Sequence, residues 1–395
     1  MTDLPVVRLQ PQRHKRLRMG HPWAFSNEIQ MDNAAKALAR GSLVRLEASH
    51  GEALGVAMFN PHTLIAARII DRDATVTIDA AWIARHIARA RDLRELLYPG
   101  SNYRLIHAEA DGMPGLIVDR YGDTLVVQRN AAGIEKLGDA LFEALETTLS
   151  PVRIVVRDDS AARQLEGLAA SESVRGAPLD APLQIQESGA VFFADPREGQ
   201  KTGWFFDQRD NRAFLANLCA GKRVLDVYCY VGGFGVLAAK RGATAVKLVD
   251  SSQTALDLAK RAADANGVTA QCAFEKADAF AFLEAQGRAG TVYDVVSADP
   301  PAFAKSRKDV PMALKGYRKL ARAAAKLVAP GGILFVASCS HNIEPGPFAE
   351  EVARGVSEAG RNARILRVAG AAADHPLHPH LPESAYLKAM ALALD

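Results

Sequence analysis

The chain has 395 residues and a net charge of +3, with 49% hydrophobic and 24% charged residues. This composition is typical of a globular protein of two or three domains, and it excludes wholesale disorder and a collagen-like chain. The near balance of charges does not by itself indicate a nucleic-acid binder. Four cysteines, none in a CxxC pair, exclude a disulfide scaffold and argue against a structural zinc site. The beginning of the chain lacks the apolar core of a signal peptide, and no window holds 18 apolar residues without a charge. We therefore expect a cytoplasmic protein without a membrane span.

Residues 1–75 carry short segments of strand-forming residues separated by Gly, Pro, Asn and His, which predicts a small all-β module. The predicted strands are Val6–Leu9, Ser42–Ala48, Ala53–Phe59 and Ala66–Ile70. The stretch from Leu4 to Asn27 is basic and contains no acidic residue. Such a block either contacts phosphates or forms a solvated charged surface. The candidate phosphate contacts are Arg13, Lys15, Arg16 and Arg18.

Residues 76–185 predict a central α+β domain. Apolar residues at spacings of three and four predict a helix over residues 76–99. The further predicted elements are strands Tyr103–Ala108, Leu116–Asp119, Thr124–Gln128 and Val152–Arg157, and helix Gly133–Leu149. The stretch Gly167–Pro182 is rich in Ala, Ser, Gly and Pro, which indicates a loop or linker. Gln184–Phe193 is predicted to form one more strand.

Residues 186–395 predict a third domain, in which helices and strands alternate from about Asp207 onward. This alternation favours a doubly wound parallel sheet with helices on both faces. Strands are predicted at Arg223–Val227, Ala245–Val249, Gln271–Lys276, Tyr293–Ala298, Ile333–Ser338 and Arg364–Val368, and the segment Tyr386–Leu394 closes the chain. Helices are predicted at Arg212–Leu218, Phe234–Arg241, Thr254–Asn266, Phe280–Gln286, Met312–Leu327 and Phe348–Glu358.

Ligands of such sheets bind beyond the carboxyl ends of the strands, and four successive predicted strands end in an aspartate. Asp226 precedes a glycine-rich loop that is neither a P-loop nor a GxGxxG motif, and an acid there suits an amino-bearing ligand better than a pyrophosphate. Asp250 follows 24 positions later, near the spacing at which an acid meets a ribose diol. Asp278 and Asp299 end the next two strands. Helix capping alone is an improbable account of four acids in register.

The series VLDVYCYVGGFG, VKLVD, KADAF and SADPPAF resembles the motifs of class I S-adenosylmethionine-dependent methyltransferases. In that family the glycine loop approaches the methionine part of the cofactor, the second acid takes the ribose hydroxyls and the third lies near the adenine amino group. The cofactor contacts implied by this resemblance are Asp226, Tyr228, Gly232, Gly233, Asp250, Ser251, Asp278, Ala279 and Asp299.

A closer resemblance covers nearly the whole chain, to the RlmI-like 5-methylcytosine methyltransferases of large-subunit (23S) ribosomal RNA. Its motifs are GHPWAFSNEI, DGMPGLIVDRYGD, GQKTGWFFDQRDNR, SCS and AADHPLHPHLPESAYLK. The resemblance implies a PUA-like RNA-binding domain, a central α+β domain and a Rossmann-like catalytic domain with a seven-stranded sheet. It also implies S-adenosylmethionine as cofactor, ribosomal RNA as partner and a homodimer. The family role of GQKTGWFFDQRDNR is to close over the cofactor, which implies contacts from Lys201, Gly203, Phe205, Asp207 and Arg212.

Two positions depart from the family pattern. Members often have Lys where this chain has Ala302, and SCSG where it has Ser338-Cys339-Ser340-His341. Both departures lie by the substrate base, so they bear on which nucleotide is modified more than on the reaction.

Methylation of cytosine at carbon 5 needs a thiolate that adds to carbon 6 and makes carbon 5 nucleophilic. Cys339 fits this role, because it ends the strand beside the one that bears Asp299; a small buried hydrophobe is the alternative interpretation. Asp299 would bind the amino edge or ring nitrogen 3 of the base, Pro300 would stiffen the loop and Phe303 would stack on the flipped base. Cys229 is predicted to pack near the cofactor, with a role as nucleophile as the lesser alternative. Cys219 and Cys272 are predicted to be structural.

Three other functions stay open at this point. The sequence DPPAF also suits an enzyme that methylates an amino group of a purine, which needs no thiol. A non-catalytic RNA-binding assembly protein with a vestigial cofactor pocket is a second alternative, and a nicotinamide oxidoreductase is disfavoured by the missing GxGxxG. The histidines His375, His378 and His380 do not predict a metal site, because prolines interrupt them and no carboxylate or cysteine completes a ligand set.

Overall fold

The computed structural model describes residues 4–197, 199 and 202–395, and these form two compact units. Among the described residues, the first unit comprises 4–181, 196–204 and 373–382, and the second comprises 182–195, 205–372 and 383–395. Each unit gathers segments that are distant in sequence. The predicted domain boundaries at residues 75 and 185 stay a prediction.

The first unit begins with a five-stranded sheet and two short helices. Its strands are β1 (Val6–Arg8), β2 (Trp23–Phe25), β3 (Ser42–Glu47), β4 (Ala53–Phe59) and β5 (Ile65–Asp71), and its helices are α1 (His14–Arg18) and α2 (Asn33–Ala37). The strand order is β1-β3-β4-β5-β2, with β1 parallel to β3 and the other pairs antiparallel. The four predicted strands are present. The three-residue strand β2 and both helices were not predicted, because elements this short show no periodicity.

A second five-stranded sheet follows in the same unit. Its strands are β6 (Asn102–His107), β7 (Leu116–Tyr121), β8 (Thr124–Arg129), β9 (Arg153–Asp158) and β10 (Ser171–Gly176), in the order β10-β9-β8-β7-β6. The helices are α3 (Ala80–Leu97), α4 (Ala132–Lys136), α5 (Gly138–Leu149) and α6 (Ala161–Leu165). Helices α3 and α5 pack together over one core with buried residues of this sheet.

Two predictions for this region were wrong. The helix predicted over Gly133–Leu149 is interrupted at Leu137. With φ of −80° and ψ of 8°, this residue departs from helical geometry, and it caps the end of α4 and the beginning of α5. The predicted loop Gly167–Pro182 contains the edge strand β10. All six residues of β10 are exposed, so they show none of the alternation from which a strand is predicted.

The second unit begins with a hairpin and continues with a seven-stranded sheet. The single strand predicted over Gln184–Phe193 is two strands, β11 (Leu183–Glu187) and β12 (Ala190–Ala194). Ser188 and Gly189 connect them with φ angles of +53° and +79°, the conformation of a two-residue hairpin turn. The Asn266 side chain bonds the N–H and the carbonyl of Val191, which ties this hairpin to the helix that ends beside Asn266.

The seven-stranded sheet has the order β15-β14-β13-β16-β17-β19-β18. Its strands are β13 (Arg223–Val227), β14 (Ala245–Asp250), β15 (Cys272–Lys276), β16 (Tyr293–Ala298), β17 (Val328–Ser338), β18 (Ala363–Ala369) and β19 (Lys388–Leu394). The predicted doubly wound, seven-stranded sheet is present, and within it β19 runs antiparallel to both β17 and β18. No helix between residues 370 and 387 carries the chain back to the opposite edge; the segment holds only a short 3₁₀ turn, so the last strand must return in the reverse direction.

The helices of this unit form two packed groups, as expected for a doubly wound sheet. One group comprises α7 (Arg209–Ala216), α8 (Gly233–Lys240) and α9 (Gln253–Ala265), and the other comprises α10 (Ala279–Arg288), α11 (Val310–Ala325) and α12 (Pro345–Glu358). The second group shares a core with buried residues of β13, β16, β17 and β19. Within the described part of the chain, no helix is both long and apolar enough to cross a bilayer.

Candidate active site

Asp226 lies at the carboxyl end of β13 and is almost completely buried. Its Oδ2 accepts a hydrogen bond of 2.8 Å from the Gly235 N–H in the first turn of α8, while its Oδ1 has no partner among the described residues. Burial raises the pKa of Asp226 to about 7. A buried carboxylate oxygen without a partner is costly, so this position fits a ligand that brings a cationic donor.

The loop from Tyr228 to Gly232 turns sharply between β13 and α8. Tyr228 and Tyr230 have φ angles of +61° and +49°, which are strained for residues with side chains and are concentrated at functional sites. Gly232 has a φ of +83°, and a Cβ there would lie 2.8 Å from Cγ2 of Val236 and 3.0 Å from Cβ of Ala259. Gly233 begins α8. The glycines therefore permit a close approach of α8 to its neighbours and leave the loop backbone near the strand ends.

Asp250 at the end of β14 holds this loop in place. Its Oδ2 accepts from the Tyr230 N–H at 2.8 Å, and its Oδ1 accepts from the Ser252 N–H at 2.9 Å. Each carboxylate oxygen can accept a second hydrogen bond, so two hydroxyls of a ribose remain suitable donors. Ser251 is exposed beside it.

Asp278 is exposed and caps α10, since its Oδ1 accepts from the Ala281 N–H at 2.9 Å. Capping therefore accounts for one of its two oxygens. Ala279 follows and is buried. The contact of Asp278 with the cofactor stays a prediction, and the second carboxylate oxygen would make it.

Asp299 follows β16 and is half-buried. Its Oδ2 accepts a hydrogen bond of 2.9 Å from Nε2 of Gln208, and Nδ2 of Asn211 donates to Oε1 of the same glutamine at 2.7 Å. Asn211 thus fixes the amide orientation that points the Gln208 donor at Asp299. Neither residue was singled out from the sequence, although both lie within GQKTGWFFDQRDNR.

Pro300 is buried directly after Asp299, and Phe303 packs inside the second unit. The Phe303 ring lies 4.6 Å from the Tyr317 ring and 6.3 Å from the Phe280 ring, measured between centroids. A Cβ on Gly316 would approach it to 3.1 Å. These contacts hold the DPPAF loop against α11, and stacking of Phe303 on a substrate base stays a prediction.

Cys339 follows Ser338, the last residue of β17, and β17 is the immediate neighbour of β16. Cys339 and Asp299 therefore leave adjacent parallel strands at the same edge of the sheet. Lys388, the first residue of β19, pairs with Ser338 and is buried. Its ammonium donates to the Ser340 carbonyl at 2.6 Å and to the Tyr386 carbonyl at 2.7 Å. Burial lowers the pKa of Lys388 to about 8, and negative charge at Cys339 and Glu344 opposes this fall.

The other three cysteines lie in surroundings that disfavour a thiolate. Burial raises the pKa of Cys219 to about 12 and that of Cys272 to about 11. Burial also raises the pKa of Cys229 well above its ordinary value, and its thiol points to the Tyr230 carbonyl at 3.7 Å. The thiolate is the nucleophilic form of cysteine, so burial argues against each of these three as the reactive cysteine.

Several residues in the second half of GQKTGWFFDQRDNR contact one another and the strand hairpin. Arg212 donates to both oxygens of Glu187 at 2.7 and 2.9 Å and to the Phe205 carbonyl at 2.9 Å. The Phe205 ring stands edge-on to that of Tyr230 in the glycine loop, 5.4 Å away. Arg212 therefore positions Phe205 against the loop. Glu187 was not predicted, although a glutamate at a buried position of an alternating strand is a usable signal.

Two further predicted residues of this motif can be placed, and one cannot. Asp207 is buried, accepts from the Tyr386 hydroxyl, and its carbonyl accepts from the Ala372 N–H at 2.8 Å. Gly203 has a φ of +103°, a conformation that favours glycine. Lys201 lies outside the described residues. The direct cofactor contacts of this motif stay predictions.

The predicted phosphate contacts of the N-terminal module differ in their surroundings. Arg16 donates to Glu28 at 2.7 Å and to the Trp23 carbonyl at 3.1 Å, and it lies 4.9 Å from the centre of the Phe25 ring, so it has a structural role. Arg18 is exposed and pairs with Glu52. Arg13 and Lys15 are exposed and are the better candidates for contact with phosphates.

Comparisons with known proteins agree with this arrangement. A family model described as S-adenosylmethionine-dependent methyltransferase matches residues 142–392, and a PUA-like domain model matches residues 7–72. The chain is 38% identical over 389 residues to ribosomal RNA large subunit methyltransferase I of Shewanella denitrificans, covering 97% of this chain and 98% of that protein. It is 39% identical over 384 residues to the protein of the same name from Aeromonas hydrophila, covering 96% of each. The chain belongs to this methyltransferase family.

The solved structures support the fold of this methyltransferase. The crystal structure of a protein described as a methyltransferase complexed with SAH superposes with a TM-score of 0.83, covering 99% of this chain and 100% of that one. At 21% identity this likeness concerns the fold alone. The predicted PUA-like domain, the Rossmann-like methyltransferase sheet and the dependence on S-adenosylmethionine are confirmed.

Proposed function

We propose that this methyltransferase transfers a methyl group from S-adenosylmethionine to carbon 5 of a cytosine in 23S ribosomal RNA. The observation that carries the proposal is the position of Cys339, on the strand next to that of Asp299 and beside the buried ammonium of Lys388. Large-subunit ribosomal RNA as the substrate is supported by the names of the relatives and by the PUA-like domain.

The residues at the strand ends fit S-adenosylmethionine, which supplies an electrophilic methyl group when bound. Asp226 has a buried oxygen without a partner, which can accept from the amino group of the methionine part of the cofactor. The glycine loop lacks side chains at Gly232 and Gly233, so its backbone can approach that part of the cofactor. Asp250 retains acceptor capacity for the ribose hydroxyls, and the second oxygen of Asp278 is an acceptor for the adenine amino group.

The reaction of the base follows from Cys339 and Asp299. The Cys339 thiolate adds to carbon 6 of the cytosine, forming a carbon–sulfur bond and moving the electrons of the 5,6 double bond toward the ring carbonyl and ring nitrogen 3. Asp299, in its protonated form, would donate to that nitrogen and stabilise the developing charge. Carbon 5 of the resulting enamine would take the methyl group as the bond between that methyl carbon and the cofactor sulfur breaks, which leaves S-adenosylhomocysteine. The carbon 5 proton then leaves to water, or to Asp299 once that residue has given its own proton to ring nitrogen 3. The thiolate is expelled as the 5,6 double bond forms again, and in the second case ring nitrogen 3 releases its proton to water.

The buried ammonium of Lys388 favours the thiolate form of Cys339. Its two hydrogen bonds go to neutral carbonyl groups, so its positive charge is not neutralised by them. An opposite charge nearby lowers the free energy of an anion. An enzyme that methylates an amino group would need neither the thiol nor this cation.

The RNA-binding role of the N-terminal module is part of the same proposal. Arg13 and Lys15 would contact phosphates, which gives affinity that does not depend on sequence and falls with salt. The resemblance to the family further predicts a cytoplasmic location and a homodimer. Light scattering would test the homodimer.

The test is methyl transfer from labelled S-adenosylmethionine to unmodified 23S ribosomal RNA, with bisulfite mapping of the product. We expect one protected cytosine, lost in Cys339→Ala and retained in Cys229→Ala, with both variants binding the cofactor in calorimetry. Label incorporated without a protected cytosine, or undiminished in Cys339→Ala, would favour amino methylation of a purine. Cofactor binding without transfer to free RNA or to assembling particles would favour a non-catalytic assembly protein.

A further inference from the structure

The chain just after the DPPAF loop carries a concentration of positive charge. Within residues 305–315, here called the basic segment, four cations and one carboxylate give a net charge of +3, as much as the whole chain. The cations are Lys305, Arg307, Lys308 and Lys315, and all four are exposed. We infer that the basic segment binds the phosphates of the RNA that flank the target nucleotide, an inference that rests on the proposed function.

The cations of the basic segment differ from those further along α11. None of the four forms an ion pair with any residue that the structure describes. By contrast, Lys319 pairs with Glu284, and Arg318 and Arg322 pair with Glu358. Within α11, the cation without an ion pair among the described residues is Lys315, in the half that adjoins the DPPAF loop, and the three cations of the other half are paired. Lys326, just beyond the far end of the helix, is exposed and likewise has no ion pair among the described residues. Surface cations that serve only solubility would not need to be unpaired near the DPPAF loop and paired further along the same helix.

Hydrogen bonds fix the backbone at the start of the basic segment. The Ala304 N–H donates to the Ser340 hydroxyl at 3.3 Å, one residue beyond Cys339. Asp309 accepts from the N–H and the hydroxyl of Ser306 at 2.8 and 2.9 Å, which closes a short turn before α11. The one carboxylate of the segment is therefore used within the turn. The cations extend from a preorganised backbone, which reduces the entropy lost on binding.

RNA phosphates are the partner that fits this arrangement. The segment begins five residues beyond Pro300, and the hydrogen bond just before its first residue goes to Ser340, next to the proposed nucleophile Cys339. A nucleotide whose base enters that pocket has a phosphate on each side, and the basic segment is the positively charged part of the chain next to the pocket. Arg307 offers a planar fork for phosphate oxygens and the lysines offer point charges. An acidic protein partner would have no such reason to lie at the catalytic edge.

The test measures how the affinity for a full-length 23S RNA transcript depends on salt. Each phosphate that a protein neutralises contributes about 0.7–0.9 to the slope of log K against log salt. We expect the triple variant Lys305→Ala/Arg307→Ala/Lys308→Ala to reduce that slope by about 2 and to raise KM for RNA without loss of cofactor binding. The matched control is Lys319→Ala/Arg322→Ala/Arg354→Ala, which removes the same charge from paired cations and should leave the slope unchanged.

The outcomes separate this inference from the proposed function. If the wild-type enzyme methylates ribosomal RNA and the basic-segment variant keeps its slope, or both variants lower it equally, the inference is overturned while the function stands. If the wild-type enzyme neither binds nor methylates the RNA, the proposed function fails first. Circular dichroism and calorimetry with S-adenosylmethionine verify that each variant is folded. Should the triple variant fail to fold, Arg307→Ala alone must lower the slope by about 1.

Discussion

The ammonium group of Lys388 donates a hydrogen bond to the carbonyl of Ser340, the residue that follows Cys339. In the antiparallel pair of β17 and β19, Lys388 also lies opposite Ser338, the residue that precedes Cys339. The side chain of Lys388 thus contacts the residue after the proposed nucleophile, and its backbone pairs with the residue before it. Burying a lysine is costly unless its charge serves a partner, and in the proposed reaction the Cys339 thiolate would be that partner.

Replacement of this cation should change the pH dependence of the thiol. Because the pKa of Lys388 is about 8, the ammonium is present at neutral pH and is lost above it. In Lys388→Met, we expect alkylation of Cys339 by iodoacetamide and the acidic limb of kcat to move to higher pH by about one unit. Lys388→Arg is the control, since it keeps the charge. An unchanged alkylation profile in Lys388→Met, with a folded protein, would contradict this role.

Asp226 should couple stability, pH and cofactor binding. Its pKa is about 7 in the folded protein against an ordinary 3.8, so the folded state favours the protonated form. Stability from this group is fully present below about pH 4 and is lost as the pH rises through about 7. Asp226→Asn should therefore unfold at a temperature a few degrees higher than the wild type at pH 8, in the absence of cofactor.

The same substitution should weaken S-adenosylmethionine binding. In the proposed site the ionised carboxylate would be the partner of the cationic amino group, so wild-type affinity should increase as the pH rises through 7, whereas that of Asp226→Asn should not. We expect at least a tenfold loss of affinity in the variant at pH 8, measured by calorimetry. Equal affinities at pH 8 would show that the cofactor does not use this carboxylate.

Much of the second unit could be predicted because its strands are short apolar runs followed by glycines or acids. The strands Arg223–Val227 and Tyr293–Ala298 have the predicted bounds. The strand β17 starts at Val328 and not at Ile333, because Gly331 and Gly332 suggested a turn where the strand continues with an irregular register. The reversal of β19 depends on a connection that contains no helix, and neighbouring sequence does not reveal it.

The strand-end acids could be predicted because a doubly wound sheet gathers strand ends at one edge. Residues whose role depends on partners distant in sequence could not be predicted. Lys388 precedes a run of apolar residues and resembles the solvated end of a strand, and only pairing with β17 gives it a role. Glu187 and Arg212 meet across 25 residues of sequence, a separation at which no local pattern links them.

Gly232 should be intolerant of a side chain. Gly232→Ala places a Cβ 2.8 Å from Val236 and 3.0 Å from Ala259 on a backbone with positive φ, so we expect a loss of about 2 kcal/mol in the free energy of unfolding. The matched control is Gly221→Ala, where φ is +73° but nothing lies within 4 Å. Urea denaturation of both variants separates crowding from backbone strain. Similar losses in the two would mean that crowding at Gly232 costs little.

Asp278 should serve both a helix and the cofactor, and two substitutions separate these roles. Asp278→Ala removes the oxygen that caps α10 and should cost about 1 kcal/mol of stability. Asp278→Asn keeps a capping oxygen and should leave the unfolding temperature nearly unchanged. Its amide N–H₂ would replace the second oxygen, however, and would oppose the donor of the adenine amino group. We therefore expect about a tenfold weaker binding of S-adenosylmethionine in Asp278→Asn. Wild-type affinity in that variant would leave Asp278 with the role of a cap alone.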